Sequence, residues 1–137
     1  MKTFLKRSAR MEGGRNGSLK TEDKALDLKL RKPTEMGGEN NGVDPENLFA
    51  AGYASCLASS IEFLLEQQGK QADDIVIDAN LSLVGDPDGG FKFDLEVVAS
   101  IKGFDKSEQE KLLEAGLGFC PYSKAIKGNV NVNAKIA

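Results

Sequence analysis

The chain contains no histidine, and only two of its 137 residues are cysteine. Without an imidazole there is no general base for a Ser-His or Cys-His pair, so sulfur is the one strong nucleophile on offer. Zinc is disfavoured for the same reason, because two thiols leave a tetrahedral site short of its usual ligands unless carboxylates or a second subunit complete it. No metal and no other cofactor is expected. A basic excess is also missing: 18 Lys and Arg stand against 21 Asp and Glu, a net charge of -3. That argues against nucleic acid as a partner, since phosphate binding needs a clustered excess of cations. The basic start, Lys2, Lys6, Arg7 and Arg10, is diluted by Phe4, Leu5, Ser8 and Ala9 and lacks the apolar segment of a secretory signal. No long uncharged apolar run suggests a membrane span. The expected setting is the cytoplasm, where two cysteines read as reactive or buried thiols rather than as a permanent bridge.

With 40% apolar and 28% charged residues the composition is that of a globular protein, and the length fits one domain, residues 1–137. Residues 2–10 and 17–31 carry strand-like segments, broken at Gly13-Gly14-Arg15-Asn16-Gly17, where glycine permits a tight reversal. Leu26, Leu28 and Leu30 alternate with charged residues, the period of a sheet with one buried face. After a Gly- and Asn-rich loop over 32–44, Asp44 is placed as the N-cap and Pro45 as the first residue of a long helix ending near Gly69. From Leu48 to Ile61 this helix has almost no polar face, which predicts a central, covered position. Its small residues, Ala50, Ala51, Gly52, Ala54, Ser55, Ala58, Ser59 and Ser60, let another backbone approach, so a subunit interface along it is expected.

Residues 75–84 and 91–101 alternate around Gly85-Asp86-Pro87-Asp88-Gly89-Gly90 and predict a hairpin, with Phe91, Phe93, Leu95, Val97, Ala99 and Ile101 on one face. Ser107 to Glu110 matches a capping box, Pro121 can start another helical turn, and Val130 to Ile136 alternates as a closing edge strand. The order strands, helix, strands, helix, strand gives an α+β class with a mainly antiparallel sheet.

Cys56 lies about three turns into the apolar helix, where a lone thiol is usually a small core residue with a raised pKa. Activation needs a cation, and Arg15 on the glycine-flanked turn is a candidate; Glu46 could hold its guanidinium in a bidentate fork. Cys120 precedes Pro121 at a helix start, which favours a thiolate there, so position alone leaves open which sulfur reacts first.

Two long motifs, Asp44-Pro45-Glu46-Asn47-Leu48-Phe49-Ala50-Ala51-Gly52-Tyr53-Ala54-Ser55-Cys56 and Cys120-Pro121-Tyr122-Ser123-Lys124-Ala125, together with the Gly13 to Gly17 turn, make the chain resemble the organic hydroperoxide resistance branch of the OsmC-like thiol peroxidases. The resemblance implies an intertwined homodimer whose sheet wraps a long central apolar helix. It also implies that Cys56 is the peroxidatic thiol, Cys120 the resolving one, and Arg15 with Glu46 the activating pair. Phe49, Phe119 and Tyr122 become candidates for the apolar wall around an organic hydroperoxide, and a lipoylated protein or dihydrolipoamide the implied dithiol reductant. Asp44 and Asn47 depart from residues more often seen as Asn and Gln in that family, and Gly118 stands where His is common. Other readings of the thiols are an OsmC-branch peroxidase of different preference, a redox sensor, and a ligand-binding dimer with inert cysteines.

Overall fold

The computed structural model describes residues 1–137 and divides into two compact units, Met1–Leu48 and Phe49–Ala137. The first unit is a meander of three short antiparallel strands, β1 (Ala9–Glu12), β2 (Ser18–Thr21) and β3 (Asp27–Lys29), in the order β1-β2-β3. Met11 pairs with Leu19, and Leu19 with Leu28. The strand-like pattern of residues 2–10 yields a strand only from Ala9; Phe4 and Leu5 stay exposed. The pattern over 17–31 is interrupted as well. Asp23 accepts hydrogen bonds from the Thr21 hydroxyl (2.7 Å) and the Ala25 N–H (3.1 Å), and Lys24 takes a left-handed φ of 62°. An acidic residue that closes a local turn overrides the alternation of its neighbours.

The loop over 32–44 is tied at its ends. Arg31 N–H donates to the Val43 carbonyl (3.0 Å), Val43 N–H donates to Lys29 (3.1 Å), and a short 3-10 turn, Thr34–Met36, fills the interval.

Helix α1 (Pro45–Gln67) begins at Asp44 as expected. The Asn47 N–H donates to the Asp44 carboxylate (2.7 Å) and the Asp44 N–H to the Asn47 side chain (3.1 Å), a reciprocal cap with Asn in the usual Glu or Gln position. The helix ends where Gly69 turns left-handed (φ 67°) and the Lys70 N–H reaches back to the Leu65 carbonyl (2.9 Å). The expectation of no long uncharged apolar run needs correction: Asn47 to Ile61 carry no charge, and by length and composition alone α1 could cross a membrane. In the fold one stripe of it, Tyr53, Leu57, Ile61 and Leu65, is instead buried in a protein core.

That core belongs to the second unit. Strands β4 (Asp74–Gly85) and β5 (Phe91–Lys102) form the predicted hairpin, and Leu95, Val97, Ala99 and Ile101 present one buried face to the helix stripe. Phe91, at the start of β5, is exposed. After α2 (Lys106–Phe119) and α3 (Pro121–Ile126), β6 (Asn131–Ile136) closes the second sheet, in the order β4-β5-β6. It runs parallel to β5, because a helical crossover returns the chain in the same direction. The strands thus form two three-stranded sheets, antiparallel except for this one pairing.

Helix α2 starts earlier than the Ser107 box predicts. Asp105 caps it, accepting from the Glu108 N–H (2.9 Å), while the Glu108 carboxylate accepts from the Asp105 N–H (3.3 Å). From this register Gln109 bonds both the Ile101 N–H (2.9 Å) and the Phe104 carbonyl (2.8 Å), stitching helix to strand. Gly116 lies in a tight crossing: a Cβ there would come within 2.7 Å of Ile61 Cγ1 and 3.3 Å of Leu57 Cδ1.

Candidate active site

The four expected reactive residues come together as two pairs, one in each unit. In the first, Arg15 lies on the β1–β2 turn, held from behind by Arg31. The Arg31 guanidinium donates to the carbonyls of Asn16 (3.1 Å) and Gly17 (3.2 Å), and the Lys32 N–H donates to the Asn16 side chain (3.2 Å). Glu46 is in the first turn of α1. Arg15 donates through both terminal nitrogens to the two Glu46 oxygens, at 2.7 and 3.1 Å, a bidentate fork with both side chains about a quarter exposed. The Arg15 hydrogen bond holds the Glu46 carboxyl below its ordinary value despite partial burial, and Glu46 raises Arg15 in return.

In the second unit the sulfurs of Cys56 and Cys120 are 3.2 Å apart. Cys56 is partly exposed on α1, whereas Cys120 is fully buried at the joint between α2 and α3. The joint is rigid: the Cys120 N–H donates to the Gly116 carbonyl (2.8 Å), and its own carbonyl accepts from the Lys124 N–H (2.9 Å). Pro121 at N1 starts α3 without wasting a donor. Burial pushes the Cys56 thiol above its ordinary value, and the adjoining Cys120 thiol acts in the same sense. The backbone N–H of Tyr122 and the Ser60 hydroxyl oppose them. Within Phe49–Ala137 no cation is among the groups that act on Cys56.

The aromatic candidates divide. Phe119 stacks on Phe63 with ring centroids 5.3 Å apart, both rings largely exposed. Tyr122, also exposed, lies across Gly52 so closely that a Cβ there would sit 2.7 Å from its hydroxyl. Phe49 is drawn towards the core, 4.8 Å from Phe93 and 6.5 Å from Tyr53.

Three participants escape the sequence reading. The Tyr122 N–H facing Cys56 has no side-chain signature. Gly52 reads as one of several small residues and as part of the first cysteine motif, with no sign in either that Tyr122 lies across it. The hydrogen bond between the buried Tyr53 hydroxyl and Ser123 (2.7 Å) could have been sought, since a tyrosine on an otherwise apolar helix needs a partner for its hydroxyl.

Fold and paired thiols together define an OsmC-like protein, and residues 38–135 match the OsmC-like protein family. The chain is 38% identical over 125 residues to the organic hydroperoxide resistance protein OhrB of Bacillus subtilis, covering 90% of this chain and 91% of that one. It is 39% identical over 127 residues to the organic hydroperoxide resistance protein of Xanthomonas axonopodis pv. citri, covering 91% and 89%. An organic hydroperoxide resistance protein from Legionella pneumophila superposes with a TM-score of 0.94 at 39% identity, over 99% of both chains. The chain therefore belongs to the organic hydroperoxide resistance proteins of the OsmC family.

Proposed function

We propose that this chain is a two-cysteine peroxidase that reduces organic hydroperoxides to alcohols. The observation that supports it best is the 3.2 Å approach of the Cys56 and Cys120 sulfurs. A disulfide needs S–S near 2.05 Å, so closure requires a shift of only about an ångström. The Cys56 thiolate attacks one peroxide oxygen; the O–O bond breaks, the alkoxide takes a proton and leaves as alcohol, and Cys56 becomes a sulfenic acid. Cys120 then attacks that sulfur. The S–O bond breaks, the departing hydroxyl takes the Cys120 proton, and water leaves. A lipoyl-type dithiol reopens the disulfide by exchange and is itself oxidised.

Burial disfavours the Cys56 thiolate, so the cycle needs a cation, and Arg15, oriented by Glu46, is the one proposed. A charge must come within about 4–6 Å to hold a thiol ionised. The assembly proposed for this is an intertwined homodimer with active sites at the subunit interface, partly built from both chains, in which residues 1–137 of each chain work as one domain. The exposed faces of Ala51, Ser55, Ser59 and Phe63 on α1 fit such a neighbour. Phe119, Tyr122 and Phe49 form the apolar wall, where each buried methylene of substrate contributes about 0.8 kcal/mol and hydrogen peroxide gains nothing. The proposed setting is the reducing cytoplasm.

One equivalent of tert-butyl hydroperoxide added to reduced protein should consume both thiols as an intrachain disulfide. In Cys120→Ser it should leave a sulfenic acid on Cys56 that dimedone traps. Two free thiols after treatment of the parent would reject the reading, and equal kcat/KM for tert-butyl hydroperoxide and hydrogen peroxide would reject the apolar wall.

A further inference from the structure

Tyr53 precedes Cys56 by three residues on α1, and Ser123 follows Cys120 by three residues on α3. The Tyr53 side chain is fully buried and Ser123 is 9% exposed, yet their hydroxyls meet at 2.7 Å. Apart from the contacts of the Cys56 sulfur with Cys120 and the Tyr122 N–H, this is the one side-chain hydrogen bond that joins α1 to the α2–α3 segment. It sits about one helical turn from the reacting sulfurs on each side. Because the backbone of Cys120 is fixed at both its N–H and its carbonyl, the sulfur is not free to approach Cys56 by local chain movement. Beyond rotation about the two Cα–Cβ bonds, the distance the sulfurs must close is set by the spacing of α1 and α3.

We infer that the Tyr53–Ser123 hydrogen bond is a positioning device for disulfide closure, fixing the spacing of α1 and α3 and thereby the rate at which Cys120 captures the Cys56 sulfenic acid. This rests on the peroxidase reading and adds to it a pair outside the two cysteine positions. The tether is a neutral one: burial keeps the Tyr53 hydroxyl protonated above its ordinary range, with the two neighbouring thiols acting in the same direction. It therefore stays a hydrogen-bond partner for Ser123 across the pH range in which the thiols react. It also differs from the Tyr122–Gly52 contact on the same two helices, which is a ring against a backbone and can slide. A hydroxyl pair 2.7 Å apart has one length to hold.

The test separates the two chemical steps by rapid mixing with tert-butyl hydroperoxide. Tyr53→Phe keeps the buried ring and removes only the hydroxyl; Ser123→Ala removes the other partner. Both variants should react in the first step within about twofold of the parent, since neither group is placed at the peroxide. Their disulfide closure should slow at least about tenfold, which is about 1.4 kcal/mol on that barrier. Dimedone should then trap a sulfenic acid that is too short-lived to trap in the parent, and overoxidation should set in at correspondingly lower peroxide. Ser123→Thr, which keeps the hydroxyl, should restore the parent closure rate. Unchanged closure in both variants would overturn the inference, as would an equal slowing of both steps with a lowered melting temperature, the mark of general loosening. If the parent itself forms no disulfide, the peroxidase reading fails; if the parent closes normally and the variants keep pace, only the positioning role fails.

Discussion

The two units reach order by different physics. Met1–Leu48 has strands of three or four residues, side chains mostly at the surface, and a charged pair as its best-defined long-range contact. Phe49–Ala137 has twelve-residue strands, an apolar core built on one stripe of α1, and a pair of thiols at its margin. A guanidinium needs water or a carboxylate around it and would be costly inside that core, whereas a thiol is a small apolar group that packs there readily. The chain thus holds the guanidinium–carboxylate pair and the thiol pair in two different environments, each suited to one of them.

The largest expected effect comes from removing the polar half of that division. Arg15→Ala should slow the reaction of Cys56 with peroxide about 10²–10³-fold, the usual consequence of deleting one donor aimed at developing negative charge. Arg15→Lys should recover only part, since an ammonium cannot take the bidentate fork on Glu46. The second unit should be untouched, with the same melting temperature and a normal disulfide once a sulfenic acid has formed. Because burial already raises the Cys56 thiol, the lost rate in Arg15→Ala should return in part as pH rises and the thiolate fraction grows. Full activity at neutral pH would show that some other cation does the work, and the comparison between units would lose its functional meaning.

The division also explains which features could be read from the sequence. Alternation in β5 and the caps of α1 are local, so Leu95, Val97, Ala99, Ile101, Asp44 and Gly69 were legible, as was the pairing of Arg15 with Glu46 through the chemistry of the two groups. In the first unit the alternation of Leu26, Leu28 and Leu30 marked the neighbourhood of β3, but strands this short carry few residues each, and a single Asp23 turn was enough to break the pattern over 17–31. At α2 two overlapping boxes, Asp105 with Glu108 and Ser107 with Glu110, compete on equal local terms. Only the distant bond from Gln109 to the backbone of Ile101 favours the first. The parallel pairing of β6 and the Tyr53–Ser123 bond are long-range facts that no window of residues contains.

A middle-sized effect tests the apolar unit by itself. At Gly116 a methyl group would meet Ile61 and Leu57, both fully buried, so neither can swing aside. Gly116→Ala should gain up to about 1 kcal/mol of helix propensity and lose about 1–3 kcal/mol to overpacking, a net destabilisation read as a lower denaturant midpoint. Gly52→Ala makes the control, since the atoms it meets are the far end of the exposed Tyr122 ring. There the propensity gain should dominate and the midpoint should hold or rise. A stabilising Gly116→Ala would mean that α1 and α2 can part without cost, contrary to a core that sets the sulfur spacing.

The smallest effect is electrostatic and should be confined to the first unit. Glu46 has a folded pKa lowered chiefly by the hydrogen bonds from Arg15. Between the folded and unfolded values the unfolded chain binds more protons, so the stability contributed by this carboxylate is fully present above the unfolded value of about 4.3. It is lost as pH falls through the lower, folded value. Arg15 is raised, but from a value already beyond the working range, so it adds no window of its own. Partly exposed pairs contribute about 0.2–1 kcal/mol, and the acid loss should be of that size. Hydrogen exchange followed from pH 6 to pH 3 should show protection falling in β2 and β3 while β5 keeps its own, because no titrating carboxylate supports the β5 core face. Glu46→Gln should flatten the acid dependence of the first unit. If that variant and the parent lose protection along the same curve, the fork between Arg15 and Glu46 contributes nothing to the order of the turn that carries it.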